Sequence, residues 1–423
     1  MTGVQTCALP IYKCQTLENG LTIIGEEIPY LKSISLGIWV KAGSIIETKE
    51  NSGVSHFIEH MLFKGTKNRS SKELAREIDN LGGILNAFTS KECTCFYVKL
   101  LDEHIDIGID VLSDMILNSC FDKKDIEKEK SVILEELKMY EDSPDDLSYD
   151  LLLENIYKDH SLGMNILGDR NTLKNFKREN ILDYYNKYYV PNNSVISICG
   201  NFNFEEIVEK IKDKFKTWEA KEASINTTEP KFNPCIIKKN KDIKQVNLAI
   251  NLKAIPMIND REVYALSVVN NVFGGSISSR LFQKIREEKG LVYSIYSSQT
   301  LYQECGELGI FASTSNENVE EVYKLILDEI DLIRNEYISL QEIHESKEQL
   351  KGSYMLDRES TSSRMMSNGK NLLMRNKVDD EQDIIDYINN VEYQDVVEII
   401  EKVFNKENIG VCIVGKDVEN ISL

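Results

Sequence analysis

The sequence predicts an α+β fold built as two homologous halves, each an antiparallel-type sheet with helices packed on it. Three observations carry this expectation. The chain has 423 residues, more than one core of ordinary size holds. Two long stretches of it repeat one another. Strand-like runs stand beside grouped helices, the pattern of α+β layers and not of a doubly wound parallel sheet.

The first repeat aligns Leu74, Ile78 and Gly83, which lead into ILNAFTS, with Leu281, Ile285 and Gly290, which lead into LVYSIYS, at identical internal spacing. The second runs without gaps from Asn175 against Asn390, so that Lys187 matches Lys402, Asn193 matches Asn408 and Gly200 matches Gly415. Each copy reads as an amphipathic helix, a turn and a strand ending in glycine. The repeat places one domain at residues 12–222 and a second at 241–423. Between them, residues 223–240 read as a linker, within the stretch from Glu219 to Asp242 that carries Thr227, Thr228, Pro230, Pro234 and a lysine cluster. Residues 1–11, MTGVQTCALPI, have no helical or strand period. They resemble a translated sequencing-library adapter and are set aside, as a fusion scar would be. The native chain is then expected to begin near Tyr12, with a leader ahead of it left open.

Along the first half, GIWVKAG and CTCFYVKLL alternate or run apolar as strands do. NSGVSHFIEHMLFKGT is helical in pattern, with Asn51 or Ser52 able to cap it and Gly65 able to end it. SSKELAREIDNLGG opens with a capping box, Ser70 and Glu73, and closes on Gly82 and Gly83. FDKKDIEKEKSVILEELKMYED follows as a helix with Asp122 as its N-cap.

Composition narrows the function. A net charge of −19 leaves no excess of cations to neutralise phosphates, which argues against nucleic acid and favours basic partners. No apolar run reaches the roughly 18 to 20 residues that span a bilayer. Nine cysteines are scattered without a C-x-x-C pair, and Cys93 and Cys95 point to one strand face. A reduced, cytoplasmic chain is the simple reading.

His56 and His60 are four residues apart, so both rings leave one side of a helix, within reach of a single tetrahedral ion. Glu59 stands at the edge of that face, where a carboxylate meets a water at the metal without ligating it. This is the inverted H-x-x-E-H pattern of zinc peptidases. Such a site needs a third protein ligand and an open fourth position. Glu129 and Glu136 lie seven apart on one stripe of the next long helix, with Val132 and Ile133 between them, and a cation would relieve the burial of either. The spacing alone does not choose between them. Glu135 points elsewhere. Gly274 and Gly275 precede a helix but match no nucleotide-binding pattern. His104, His160 and His344 lack partners at ligand spacing. Arg286 and Tyr293 read by themselves as a surface arginine paired with Glu287 or Glu288 and a half-buried strand tyrosine.

HFIEHMLFKGT, LNAFTSKE, IEKEKSVILEELKMYEDSPDD and GGSISSRLFQKIREEKGLVYS together resemble the pitrilysin family, in its short branch with mitochondrial processing peptidase and its bacterial relatives. The resemblance runs from about Tyr12 to the end. It implies a clamshell of two domains around an unfolded peptide, and one Zn2+ per chain held by His56, His60 and Glu136. Glu59 is then the general base and Glu129 an auxiliary acid near the site. It further implies that Arg286 and Tyr293 reach the substrate beside the zinc, and that Asn86 and Ala87 line the cleft on an edge strand that pairs with extended substrate. By the repeat offset, Val263 and Ser267 stand where His56 and His60 do, so the second domain is expected to hold no metal. The implied activity is a zinc-dependent endopeptidase for peptides or unfolded segments, in a cytoplasmic bacterial setting, as a homodimer or heterodimer. The rivals are a non-catalytic partner or scaffold subunit of the same family, which an intact Glu59 opposes, and a module with purely structural zinc, which usually needs a closed four-ligand set with cysteine.

Overall fold

The structure, a computed structural model, describes residues 12–223, 225 and 228–422. Residues 1–11, and Ser224, Asn226 and Thr227 of the expected linker, lie outside them. The strands are β1 (Lys13–Thr16), β2 (Thr22–Glu27), β3 (Ser33–Val40), β4 (Ile84–Thr89), β5 (Thr94–Leu101), β6 (Ser194–Gly200), β7 (Cys235–Asn240), β8 (Val246–Lys253), β9 (Val292–Leu301), β10 (Gly306–Thr314) and β11 (Ile409–Gly415). The helices of the first part are α1 (Val54–Leu62), α2 (Ser71–Asp79), α3 (Ile105–Asn118), α4 (Lys123–Asp142), α5 (Pro144–Ile156), α6 (Arg170–Asn175), α7 (Arg178–Tyr188) and α8 (Phe204–Phe215). Those of the second are α9 (Asp260–Asn270), α10 (Val319–Glu336), α11 (Leu340–Asp357), α12 (Thr361–Arg375), α13 (Glu381–Asn389) and α14 (Tyr393–Val403).

The chain is α+β. One sheet has the order β1-β2-β6-β3-β5-β4 and the other β7-β11-β8-β10-β9. Apart from the short β1, the two orders are the same, which is the internal repeat expressed as topology. Every boundary of α7 and β6 recurs at one displacement in α14 and β11. Each sheet is antiparallel except for one parallel pair, β2 with β6 and β7 with β11.

Two compact units result, neither of them a single run of sequence. Among the described residues, the first comprises those within 12–134, 166–225 and 355–381, and the second those within 135–165, 228–354 and 382–422. The expected domains, 12–222 and 241–423, follow the repeat, whereas the units follow packing. In the first unit α3 lies on one face of the sheet, and α12, arriving late in the sequence, lies against β3 and β6. With both faces covered, β3 is buried from Ile34 onward and β6 throughout. Glycine makes the close approach of α12 feasible. A Cβ on Gly369 would stand 2.2 Å from Trp39 Nε1, and one on Gly37 would stand 2.5 Å from Met365 Sδ. In the second unit α5 takes the like place on β8 and β11, with Ile156 against Gly410.

A buried charge ties α12 to its sheet. Glu26 on β2 is 1 % exposed. It accepts from Arg358 Nη2 at 2.8 and 2.9 Å, from Asn368 Nδ2 at 2.8 Å, and from Arg364. Ser35 meets Thr361 at 3.0 Å, and Ser197 donates to the Met365 carbonyl at 2.9 Å. None of the eight described cysteines is in a disulfide. Among the described residues, no helix is long and apolar enough to cross a membrane.

Breaking one side of a buried ion pair strands the opposite charge. Glu26→Gln is therefore expected to destabilise the first unit by about 3–5 kcal/mol, read as a lowered urea midpoint of the full chain. An unchanged midpoint would show that Arg358 and Arg364 reach water.

Candidate active site

The helix that carries the histidines forms where its pattern predicts, with Val54, Phe57, Ile58, Met61 and Leu62 all buried. Its cap differs from expectation. Neither Asn51 nor Ser52 is the N-cap. That position is Gly53, at φ +90° and without a side-chain bond. The chain crosses the backbone of residues 167–168 so closely that a Cβ on Gly53 would lie 2.6 Å from the Leu167 carbonyl oxygen. Only glycine fits there. The orphan amides are met from outside the helix instead: Gly53 N–H donates to Glu47 at 2.7 Å and Ser55 N–H at 2.8 Å. An anion at a helix N-terminus also complements the helix dipole. Asn51 caps a local turn, accepting from Thr48 N–H at 2.6 Å. Gly65, at φ +115°, turns the chain three residues after α1 ends at Leu62.

Glu47 is buried, and burial pushes its carboxyl up to about 6 against the pull of Ser55, Gly53 and Lys91. Ser55 in turn meets the Tyr184 hydroxyl of α7 at 2.8 Å. The N-terminus of α1 is thus held from three sides.

His56, His60 and Glu136 each bring a ligand atom within 4.8 Å of the others. Among the described residues they are the one such group of His, Cys, Asp and Glu side chains. The imidazole centroids stand 4.6 Å apart. Burial, and then the neighbouring His60, depress His56 to about 3, so its ring is neutral near pH 7 with a lone pair to give. Glu129 is wholly buried and faces His60 Nδ1 at 3.1 Å and Lys64 Nζ at 2.6 Å. Burial alone would raise its carboxyl, but those two partners outweigh it and hold it below the ordinary range. The contact at Nδ1 orients the His60 ring. Seven residues on one helix stripe separate Glu129 from Glu136 by about 10 Å along the axis, so the two carboxylates meet α1 at different points. Glu135 is exposed and pairs with Lys138. α4 runs unbroken through residues 134–135, where the chain passes from one unit to the other.

Glu59 is half-buried and accepts from Thr89 Oγ1 at 2.5 Å. Thr89 ends β4, which lies at the edge of its sheet. On the same strand Asn86 is exposed and Ala87 half-buried, and the Ala87 N–H donates to Asn86 Oδ1 at 2.9 Å. In the second unit Arg286 and Tyr293 are both exposed. Arg286 lies over the Phe282 ring at 4.8 Å, within a π-helical turn spanning Phe282–Glu288. Val263 and Ser267 sit in α9, where Ser267 donates to the Val263 carbonyl and accepts from Gln299. His160 caps a short turn through its bond from Leu162 N–H.

Sequence reasoning missed Glu47, Lys64 and Thr89. Lys64, four residues after His60, carried a signal as the next cation along that helix face. Glu47 carried none, because it caps a helix whose first residue is seven positions away.

An α+β chain with duplicated sheets and a His-His-Glu cluster on two helices has the architecture of a metal-site protein built on one of two related halves. Residues 22–170 match the profile of insulinase, peptidase family M16, and residues 175–350 that of the peptidase M16 inactive domain. A Bacillus subtilis protein called zinc protease YmxG, itself described as uncharacterized, is 41 % identical over 93 % of this chain and 96 % of its own. A Rickettsia felis protein with the name zinc protease, also described as uncharacterized, is 34 % identical over 96 % and 98 %. The chain belongs to peptidase family M16, the pitrilysin family. In fold it is similar to a Helicobacter pylori protease, with a TM-score of 0.91 at 21 % identity over 96 % of this chain and all of the other. It is likewise similar to a Pseudomonas fluorescens structure described as a peptidase M16 inactive domain, with a TM-score of 0.89 at 19 % identity over 96 % and 98 %.

Glu47 yields a pH prediction. The folded carboxyl holds its proton up to about pH 6, and the unfolded one only to its ordinary 4.5. The folded-pKa-raised contribution is therefore present below pH 4.5 and lost as pH rises through 6. Glu47→Gln has no such titration, while His56 titrates alike in both proteins and cancels. From well below pH 4.5 to well above pH 6, wild-type stability should fall relative to the variant by about 2 kcal/mol in all, most of it between pH 4.5 and 6. Parallel stability curves of the two metal-free proteins across that window would mean that Glu47 is solvated.

Proposed function

We propose that the protein is a zinc-dependent endopeptidase that cleaves peptides or unfolded protein segments, with Glu59 as its general base. The single observation that carries this is the cluster of His56, His60 and Glu136, with Glu59 on the same turn of α1. The donor set fits the metal: two imidazoles, of which the buried one is neutral, and a carboxylate, which is the composition of catalytic zinc sites with a position left open. Zinc held there supplies Lewis acidity, which acidifies water and polarises a carbonyl. Glu59 takes the water's proton and delivers it to the leaving amine as the peptide bond breaks. Glu129 and Lys64 keep His60 oriented for its ligand role. The edge strand β4, with Asn86 and Ala87, accepts the substrate as an added strand, which reads backbone more than side chains and favours broad sequence tolerance. Arg286 and Tyr293 are assigned as donors to a substrate carbonyl. The net charge of −19 favours basic substrates, and the absence of disulfides among the described cysteines agrees with a cytoplasmic setting. A non-catalytic partner role would leave Glu59 and its bond to Thr89 without a use.

Glu59→Gln is expected to retain zinc and lose about 10²–10⁴-fold in turnover, measured on a mixed peptide library. Activity within about tenfold of wild type, short of that range, would remove Glu59 from the role of base. Glu136→Gln should lower zinc content by elemental analysis, whereas Glu135→Gln should not. Equal metal in both would mean that the third ligand lies elsewhere.

A further inference from the structure

We infer that Thr89 is a positioning residue for Glu59, fixing the base to the strand that receives the substrate. The inference rests on the reading of Glu59 as the base. Thr89 has one hydroxyl proton, and a carboxylate at 2.5 Å is an acceptor only. The proton therefore points at Glu59 Oε2, in a short charge-assisted bond. Behind Thr89 stands Thr94, its partner across the β4–β5 ladder. Thr94 is fully buried, donates to the Ala42 carbonyl at 2.8 Å and lies 3.5 Å from Thr89 Oγ1. The Thr94 hydroxyl points mainly at Ala42 and, at longer range, toward Thr89 Oγ1, which accepts there and keeps its own proton for Glu59. Thr89 is also β-branched and stiff at χ1. The donor is thus anchored in the sheet, while the base it holds is on α1.

A glutamate on a half-buried helix face has several rotamers open to it. Tying Oε2 to the sheet selects one of them. Asn86 and Ala87 are three and two residues earlier on the same strand, so a peptide added along β4 would be registered against the element that aims the base.

The test compares Thr89→Val, which keeps the shape and removes the donor, with Thr89→Ser, which keeps the donor. Each is assayed for kcat, KM, zinc content, melting temperature and the crystallographic position of the Glu59 carboxylate, with Glu59→Gln alongside. A base misplaced by about 1 Å can cost on the order of 10²-fold. Thr89→Val is expected to lose about 10- to 100-fold in kcat at unchanged KM, zinc content and melting temperature, with Glu59 rotated off its wild-type position. Thr89→Ser should stay within about threefold of wild type, too small a loss for a misplaced base. Full kcat in Thr89→Val, or an equal loss in Thr89→Ser, overturns the inference. A Thr89→Val protein that loses zinc or melts early makes the residue structural and overturns it too. If that variant does not fold, Thr89→Ala is read by the same criteria. Should Thr89→Val be fully active while Glu59→Gln is dead, only the positioning role falls. An active Glu59→Gln removes the base assignment itself.

Discussion

Glu129 sits wholly out of water and keeps its charge because two cationic or proton-donating groups of the α1 region reach it. An unpaired carboxylate there would cost several kcal/mol or take up a proton. Two helical turns on along the same stripe stands Glu136, the third member of the cluster. The opposite end of α1 is fixed by a second buried carboxylate, Glu47, at the helix N-terminus. The helix that carries His56, Glu59 and His60 is thus held at its start by Glu47 and near its end by Glu129. Its flank meets the sheet through Thr89. The charges that would be costly to bury are the ones that hold α1.

Much of this was legible in the sequence. The three-residue signature His56, Glu59 and His60 is local, and helical spacing alone puts the two rings on one side. The apolar face of α1, the capping box of Ser70 and Glu73 and the twofold repeat could all be read from neighbours within a few positions. What could not be read depends on contacts far apart in sequence. Helical spacing left Glu129 and Glu136 equivalent, because a helix stripe does not say where along its length the partner crosses. The Gly53 cap depends on residues 167–168, and the parallel β2–β6 pair joins segments separated by most of the first half. Asn51 and Ser52 were reasonable caps by residue type. They lost to a glycine because the backbone crossing at that point admits no side chain.

The two sheets share an order, yet the halves diverge where chemistry is carried. Where α1 ends cleanly and turns at Gly65, α9 runs on into a π-helical turn at Asn271–Gly275. The polar groups of that region are spent on each other, as in the bonds of Ser267 to Val263 and Gln299. The second copy keeps the scaffold, and among the described residues it holds no second such cluster of His, Cys, Asp and Glu.

The helix α12 closes a face of the first sheet although it lies near residue 361, long after the strands it covers. During synthesis β2, β3 and β6 leave the ribosome well before their cover does. At 5–20 residues per second the interval from β6 to α12 is roughly 10–30 s. Through that interval Gly37 and Trp39 face solvent, and Glu26 waits for its arginines. The nascent first unit is then an open, apolar-faced sheet carrying a glutamate without its buried partners. A truncation that stops after the repeat's first copy would remain in that state, so the unit's folding waits for a segment far downstream of its sheet.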